Sequence, residues 1–250
     1  MFHVPLNKRG IVSTERFSYP GHPCLYLSHS VESCWYELGR PSSEEFYVSA
    51  FKVHSSFRVL DLRIPSMSDY TNGNVAYTLK RLPLVIACSF IVKNKTASFK
   101  PEYIIPQFLL ESIVSRSNNL IKDTVSISDI DVIWGVTYTS HLSHFCNKTS
   151  FTDSINIALP VVLGDRVSNH CHYLAYLFKI TTPICLGDDD IINNASGCSR
   201  FTIAQYLLSR KRFYQLPYLL ISTPLSGIQF PAEGGTINLT IQSNLSWEIK

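Results

Sequence analysis

The segment from Pro20 to Pro41 constrains this chain more than any other, because it writes a turn, a strand and a capped helix in immediate succession. Pro20-Gly21 is a turn signal: proline presets one backbone angle and glycine accepts a positive one. Cys24-Leu25-Tyr26-Leu27 is a short apolar run that suits a strand. Ser30, followed by Glu32 and Ser33, predicts a helix start, since a serine hydroxyl and an early acidic group complement free amides. That helix carries Cys34, Trp35 and Leu38 inward and stops at Gly39, with Pro41 beyond it.

The remaining pattern is mixed. Residues 46–53 and 57–62 read as two strands. Residues 77–120 are mostly helical, and 106–114 fit a helix with Pro106 in its first turn. Residues 132–138 are β-branched and aromatic, hence a strand; 154–163 and 173–180 are further strand candidates, and 205–212 a short helix. This order gives an α+β fold. After Pro217 the composition changes: residues 224–250 are rich in Gly, Ser, Thr and Asn, and 236–241 alternate polar and apolar as a half-buried strand does. A domain boundary is expected near Leu220.

Composition excludes some classes of function. A hydrophobic fraction of 45% against 16% charged residues is a globular balance. The net charge of +3 is too small for the clustered basic face that a nucleic-acid partner requires. Arg210-Lys211-Arg212, the densest basic run, reads as a solvated helix end. The longest apolar run, residues 84–92, is about half of what a membrane span needs. The start, MFHVPLNKRG, has no apolar core of a signal peptide, so a cytoplasmic location without membrane contact is expected. Seven cysteines (24, 34, 88, 146, 171, 185 and 198), an odd number with no Cys-x-x-Cys pair, argue against a disulfide framework or a structural zinc. His170-Cys171-His172 is the one local metal-like cluster, but consecutive strand residues point to opposite faces. No metal is expected.

One stretch carries chemistry: Glu15-Arg16-Phe17-Ser18-Tyr19-Pro20-Gly21-His22-Pro23-Cys24-Leu25-Tyr26-Leu27-Ser28, then Glu37 on the following helix. Here the chain resembles the RES domain family, whose pattern is an Arg before a turn, Gly-x-Pro-x-Leu-Tyr-Leu, a Ser, and a Glu on the next helix. Arg40-Pro41 and Val59-Leu60-Asp61-Leu62 are similar to its continuation, the stretch from Tyr103 to Glu111 to its Pro-x-Gln helix, and the stretch from Gly135 to Ser140 to its strand ending in Tyr-x-Ser. The resemblance runs in order over residues 2 to roughly 180. It implies an ADP-ribosyltransferase-like RES fold over 1–220 and activity on NAD as substrate. It also implies a toxin-like role with an antitoxin as partner. By motif position it assigns Arg16, Tyr26 and Glu37 to catalysis, and Arg9, Ser140 and Gln107 to substrate binding. Where the family has small residues around the helical Glu, this chain has Cys34, Trp35 and Tyr36, which implies either a narrower pocket or a helix that packs differently.

The residue chemistry agrees with those roles. Cleaving the nicotinamide–ribose bond passes through a ribosyl cation, as glycoside cleavage does. A carboxylate, Glu37, would stabilise that charge. An Arg fork at Arg16, helped by Arg9, would hold the diphosphate through paired hydrogen bonds. Tyr26 offers a flat face and a hydroxyl. Ser140 would bond the carboxamide or the ribose.

Taken singly, each residue also has an ordinary reading: Arg16 solvated, Tyr26 in the core, Glu37 exposed at a helix end, Ser140 in a turn, Gln107 and Glu111 neighbours on a helix surface. Residues 221–250 resemble the opening strands of a BACON domain, an immunoglobulin-like sandwich. A sandwich needs about seven strands, so this tail cannot close a core of its own. The tail supports an alternative reading, a catalytically inactive module that recognises a glycan or a surface protein; a further one is a RES-fold protein that binds a nucleotide without chemistry.

Overall fold

The computed structural model describes residues 2–71, 75–94, 96–123, 132–140, 155–162, 169–195, 197–216, 219–222 and 240–243. After a 3-10 turn at Leu6–Ile11 come β1 (Cys24–Ser28) and α1 (Val31–Glu37), the unit read from Pro20 to Pro41. Then follow β2 (Tyr47–Val48), β3 (Phe51–Val53), β4 (Arg58–Leu62), α2 (Met67–Thr71), α3 (Val75–Cys88), α4 (Ile104–Asp123), β5 (Ile133–Thr139) and β6 (Ile155–Pro160). The rest is α5 (His172–Leu177), β7 (Phe178–Thr181), β8 (Ile184–Cys185), α6 (Asp189–Asn193), α7 (Arg200–Arg210), β9 (Phe213–Gln215), β10 (Leu219–Ser222) and β11 (Thr240–Ser243). The fold is α+β.

A four-stranded sheet in the order β1-β6-β5-β4 organises the molecule. Its β1–β6 and β6–β5 pairs are antiparallel, while β4 and β5 run parallel and are joined by the helical crossover that parallel strands require. One face packs on α3 and α4 through Leu62, Val85, Leu110, Ile113, Val136 and Ala158. The other face meets α5 and β7 through Leu25, Trp134, Leu159, Leu174 and Phe178. Each fully buried leucine among these contributes about 2 kcal/mol.

The register between β4 and β5 shifts between Arg58 and Leu60, which pair with Ile133 and Val136. The extra residue on β5 is a bulge at Trp134-Gly135 that turns Trp134 to one core and Val136 and Tyr138 to the other. Gly135 is required there, because a Cβ at that position would collide with the carbonyl oxygen of Ala158.

Helix α1 starts and stops as its sequence dictates. The Ser30 hydroxyl accepts from the Ser33 amide at 3.1 Å. At the other end Gly39 (φ +79) lets its own amide reach the Tyr36 carbonyl and the Arg40 amide reach the Trp35 carbonyl, a Schellman closure. Leu38 departs from the sequence reading. It caps the helix beyond its last turn, so it leaves the buried stripe and stands 68% exposed.

Other segments differ as well. Residues 46–53 are two strands, not one: β2 pairs with β8 and β3 with β7, and Ala50 between them exchanges hydrogen bonds with Thr181. Residues 173–180 begin as helix α5 and only then become β7. Leu174 and Leu177, three apart, are both buried, which is helical spacing. Cys171 is the N-cap of α5; its amide donates to His3 Nε2 at 2.8 Å. Residues 205–210 belong to α7, which begins five residues earlier than the sequence reading, at Arg200. Leu220 lies in β10, which pairs with β11, and of the strand read at 236–241 the residues Thr240 and Ile241 lie within the described residues, in β11. No helix among the described residues is long and apolar enough to cross a membrane.

Candidate active site

The site forms where the central sheet ends toward α1. Ser28 on β1, Asn156 on β6 and Tyr138 on β5 are cross-strand neighbours in one row, with Tyr26 and Ala158 one step behind. Pairing fixes all of these side chains on the face toward α3 and α4. A cavity of about 530 Å³ opens on that face, a size that suits a cofactor-like ligand. It is lined by Tyr26, Glu37, Asn156 and Tyr138 from the sheet and α1, by Glu15 and Arg16 from the N-terminal turn, and by Lys100 and Tyr103 from the α3–α4 connection.

Glu37 is the last residue of α1. A carboxylate there faces the negative end of the helix, an unfavourable place for it. Two donors hold it: Ser140 Oγ and, at 2.7 Å, Asn156 Nδ2 both meet Oε1. A carboxylate only accepts, so the Asn156 amide nitrogen must face it. That leaves Asn156 Oδ1 buried with no partner. Ser140 and Asn156 are themselves only 2% and 3% exposed. Buried polar groups spent on holding an ill-placed charge are a local conflict of the kind that function explains.

Tyr26 presents its ring to the cavity, 39% exposed, with its hydroxyl on Ser18 Oγ at 2.8 Å. Burial pushes its phenol well above the ordinary tyrosine range, with the Cys24 thiol and Tyr138 adding to the effect. Tyr138 is likewise raised by burial and then by the Glu37 charge, with Arg16 acting against the rise. Both phenols therefore stay protonated donors.

Arg16 sits on a tight turn. Glu15 and Ser18 bridge each other through backbone hydrogen bonds at 2.9 and 3.3 Å, and Phe17 plugs the core between them. Pro20-Gly21 supplies the next reversal, a type II turn with Gly21 at φ +80 and the His22 amide on the Tyr19 carbonyl at 3.0 Å. The Arg16 guanidinium lies 5.9 Å from the Tyr138 ring centroid and beside the Tyr103 hydroxyl. Among the described residues it has no carboxylate within ion-pair distance.

Of the residues read from the sequence, Arg16, Tyr26 and Glu37 are brought to one cavity, and Ser140 supports Glu37 without lining it. Gln107 is not at the cavity wall. Its amide donates to the carbonyls of Glu15 (2.8 Å) and Ser18 (3.1 Å), clamping the turn that carries Arg16. Arg9 is exposed in the 3-10 turn and does not line the cavity. Nor do Trp35 and Tyr36 narrow it. Trp35 turns to Phe201 and donates to the Pro41 carbonyl at 2.8 Å; of the three bulky residues only Cys34 reaches the wall.

Among the polar residues that line the cavity, Asn156, Tyr138, Tyr103 and Lys100 had no role in the sequence reading. Asn156 carried a usable signal, an amide inside an apolar strand, where a buried polar group demands a partner. Tyr138 stands in the stretch similar to the Tyr-x-Ser strand and Tyr103 opens the stretch similar to the Pro-x-Gln helix; Lys100 carried no signal. Among the described residues, no cluster of three His, Cys, Asp or Glu side chains is placed to hold a metal ion, and the six cysteines are free thiols; Cys146 lies outside the described residues.

No family model matches the chain, and no solved structure matches it. Among curated proteins it is 36% identical over 198 residues to YopC of Bacillus subtilis (strain 168), whose name designates it a candidate toxin. The match covers 74% of this chain and 42% of YopC, so the chain spans less than half the length of that relative.

Proposed function

We propose that this chain is a RES-type, toxin-like enzyme that cleaves the nicotinamide–ribose bond of NAD. One observation carries the reading: Arg16, Tyr26 and Glu37 line one cavity, with Glu37 held at a helix end by two buried donors. Similarity to a protein named as a candidate toxin supports the toxin-like role.

In this reading NAD is the substrate. The bond between ribose C1′ and the nicotinamide nitrogen breaks, and its electron pair leaves with the nicotinamide as a neutral ring. Positive charge develops on the C1′–O4′ unit, and the Glu37 carboxylate stabilises it. Ser140 and Asn156 keep that carboxylate oriented without neutralising it. Arg16, without a carboxylate partner among the described residues, binds a phosphate oxyanion. Tyr26 and Tyr138 supply flat faces and neutral hydroxyl donors. Water, phosphate or a protein side chain then bonds to C1′ and loses its proton. A cytoplasmic setting and a neutralising protein partner belong to the same proposal.

The test is product analysis with purified full-length chain and NAD, with and without phosphate. Free nicotinamide together with ADP-ribose or its 1″-phosphate is the expected result. Intact NAD under both conditions, from folded protein, would exclude hydrolysis and phosphorolysis. Nicotinamide release only in the presence of cell extract would mark transfer to a protein acceptor.

A further inference from the structure

Lys100 has no role in the account so far, yet it sits on the cavity wall with Arg16. Its ammonium donates to the Thr14 carbonyl at 3.2 Å, on the segment that leads into the Arg16 turn. It also lies 5.5 Å from the centroid of the Tyr103 ring. Burial and the Glu15 and Glu37 carboxylates push the Tyr103 phenol up, and the Arg16 charge opposes that push. Tyr103 thus stands by both cations on one cavity, with Lys100 over its ring and Arg16 acting on its phenol. Neither cation has a carboxylate within ion-pair distance among the described residues. Of the acidic groups nearest in sequence, Glu15 lines the cavity and accepts from the Ser13 hydroxyl at 3.0 Å, and Glu102 accepts from the Lys93 amide at 3.3 Å. An ammonium has three donors, and one is used here. Two cations beside one tyrosine, with donors to spare and an open volume before them, are placed to share an oxyanion.

We infer that Lys100 is the second cation of a phosphate-binding wall, gripping with Arg16 either the diphosphate of a dinucleotide or a free phosphate. The identity of the dinucleotide rests on the NAD reading; the anion site itself does not.

The experiment is calorimetric titration of the full chain with inorganic pyrophosphate and, separately, orthophosphate. It compares wild type with Lys100→Gln, Lys100→Arg and Glu37→Gln. Glutamine keeps an amide donor for the Thr14 carbonyl while removing the charge, so the tether and the charge are separated. Wild type is expected to bind, Lys100→Gln to bind about tenfold more weakly, and Lys100→Arg to stay near wild type. Glu37→Gln is expected not to weaken binding. A preference for pyrophosphate identifies the dinucleotide's diphosphate as the occupant; comparable binding of orthophosphate identifies an attacking phosphate. Either supports the site. No binding of either anion, or equal binding by wild type and Lys100→Gln, overturns it. If NAD is not consumed while Lys100→Gln still loses pyrophosphate, the catalytic reading fails and the anion site stands. If NAD is consumed with unchanged KM and unchanged anion binding in Lys100→Gln, only the anion site fails.

Discussion

The two walls of the cavity are built in different ways. The Glu37 wall stands on regular structure: a capped helix end, the row Ser28-Asn156-Tyr138 fixed by strand pairing, and Ser140 just past the end of β5. The Arg16 wall is a short turn pinned from outside, by Gln107 on α4 and by Lys100 before it. A wall made of sheet and helix gains its precision from many cooperating bonds and fails as a unit. A wall pinned by single side chains fails piecemeal, and its failures are felt as weaker binding rather than lost folding. In the proposed reading the chemistry belongs to the rigid wall and substrate capture to the pinned one.

The largest effect is expected from breaking the rigid wall at its base. Gly135→Val drives a side chain into the Ala158 carbonyl and disturbs the bulge that aims Tyr138. It should cost about 3 kcal/mol or more, read as a large drop in denaturation midpoint. A variant as stable as wild type would mean that the bulge does not set the register. Next comes the pair Ser140→Ala and Asn156→Ala, which strips the donors from Glu37. Each should lower kcat by about tenfold or more while KM changes little. A KM effect alone would move these residues to the binding wall. Gln107→Ala frees the Arg16 turn and should raise KM about tenfold with kcat nearly unchanged, and Gln107→Glu, which cannot donate, should be no better. A kcat loss of that size would erase the distinction between the walls.

The smallest effects are those of pH, and the walls should differ in sign. Burial depresses His22, beside the pinned turn, with Glu111 opposing the shift. The unfolded chain takes up this proton below about pH 6.5 and the folded chain resists it, so the stabilisation is present above that pH and lost as pH falls. Tyr26 and Tyr138 on the rigid wall are raised. Their stabilisation is complete below about pH 10 and lost as pH rises through the folded values. Melting curves across this range should fall at both ends. His22→Gln should flatten the acid limb and Tyr138→Phe the alkaline limb; unchanged limbs would dissociate these groups from stability.

The same division decided what could be read in the sequence. Local signals were legible: the Pro20-Gly21 turn, the Ser30 cap, the Gly39 stop, and the Pro106 helix all rest on backbone chemistry within a few residues. Residues 173–180 were misread as a strand because a short apolar run looks alike in a buried helix and a buried strand until its neighbours are known. Leu38 was placed inward because the helix was carried one residue too far. In the site, Arg16, Tyr26 and Glu37 lie in one continuous stretch and could be found together. Asn156 and Lys100 reach the cavity only through strand register and the α3–α4 connection, which no local pattern encodes. Gln107 is legible as a candidate from its motif, but its clamp on Glu15 and Ser18 spans 89 residues or more of sequence, which no local pattern encodes.

The central claim is that the Glu37 carboxylate, held at the end of α1, drives cleavage of NAD. Its most direct test is NAD consumption by purified wild type beside Glu37→Gln, an isosteric change that keeps the fold and removes the charge. The expected result is nicotinamide release by wild type and a loss of about 10²–10³-fold in kcat in the variant, with little change in KM. Equal rates in the two proteins would contradict the claim.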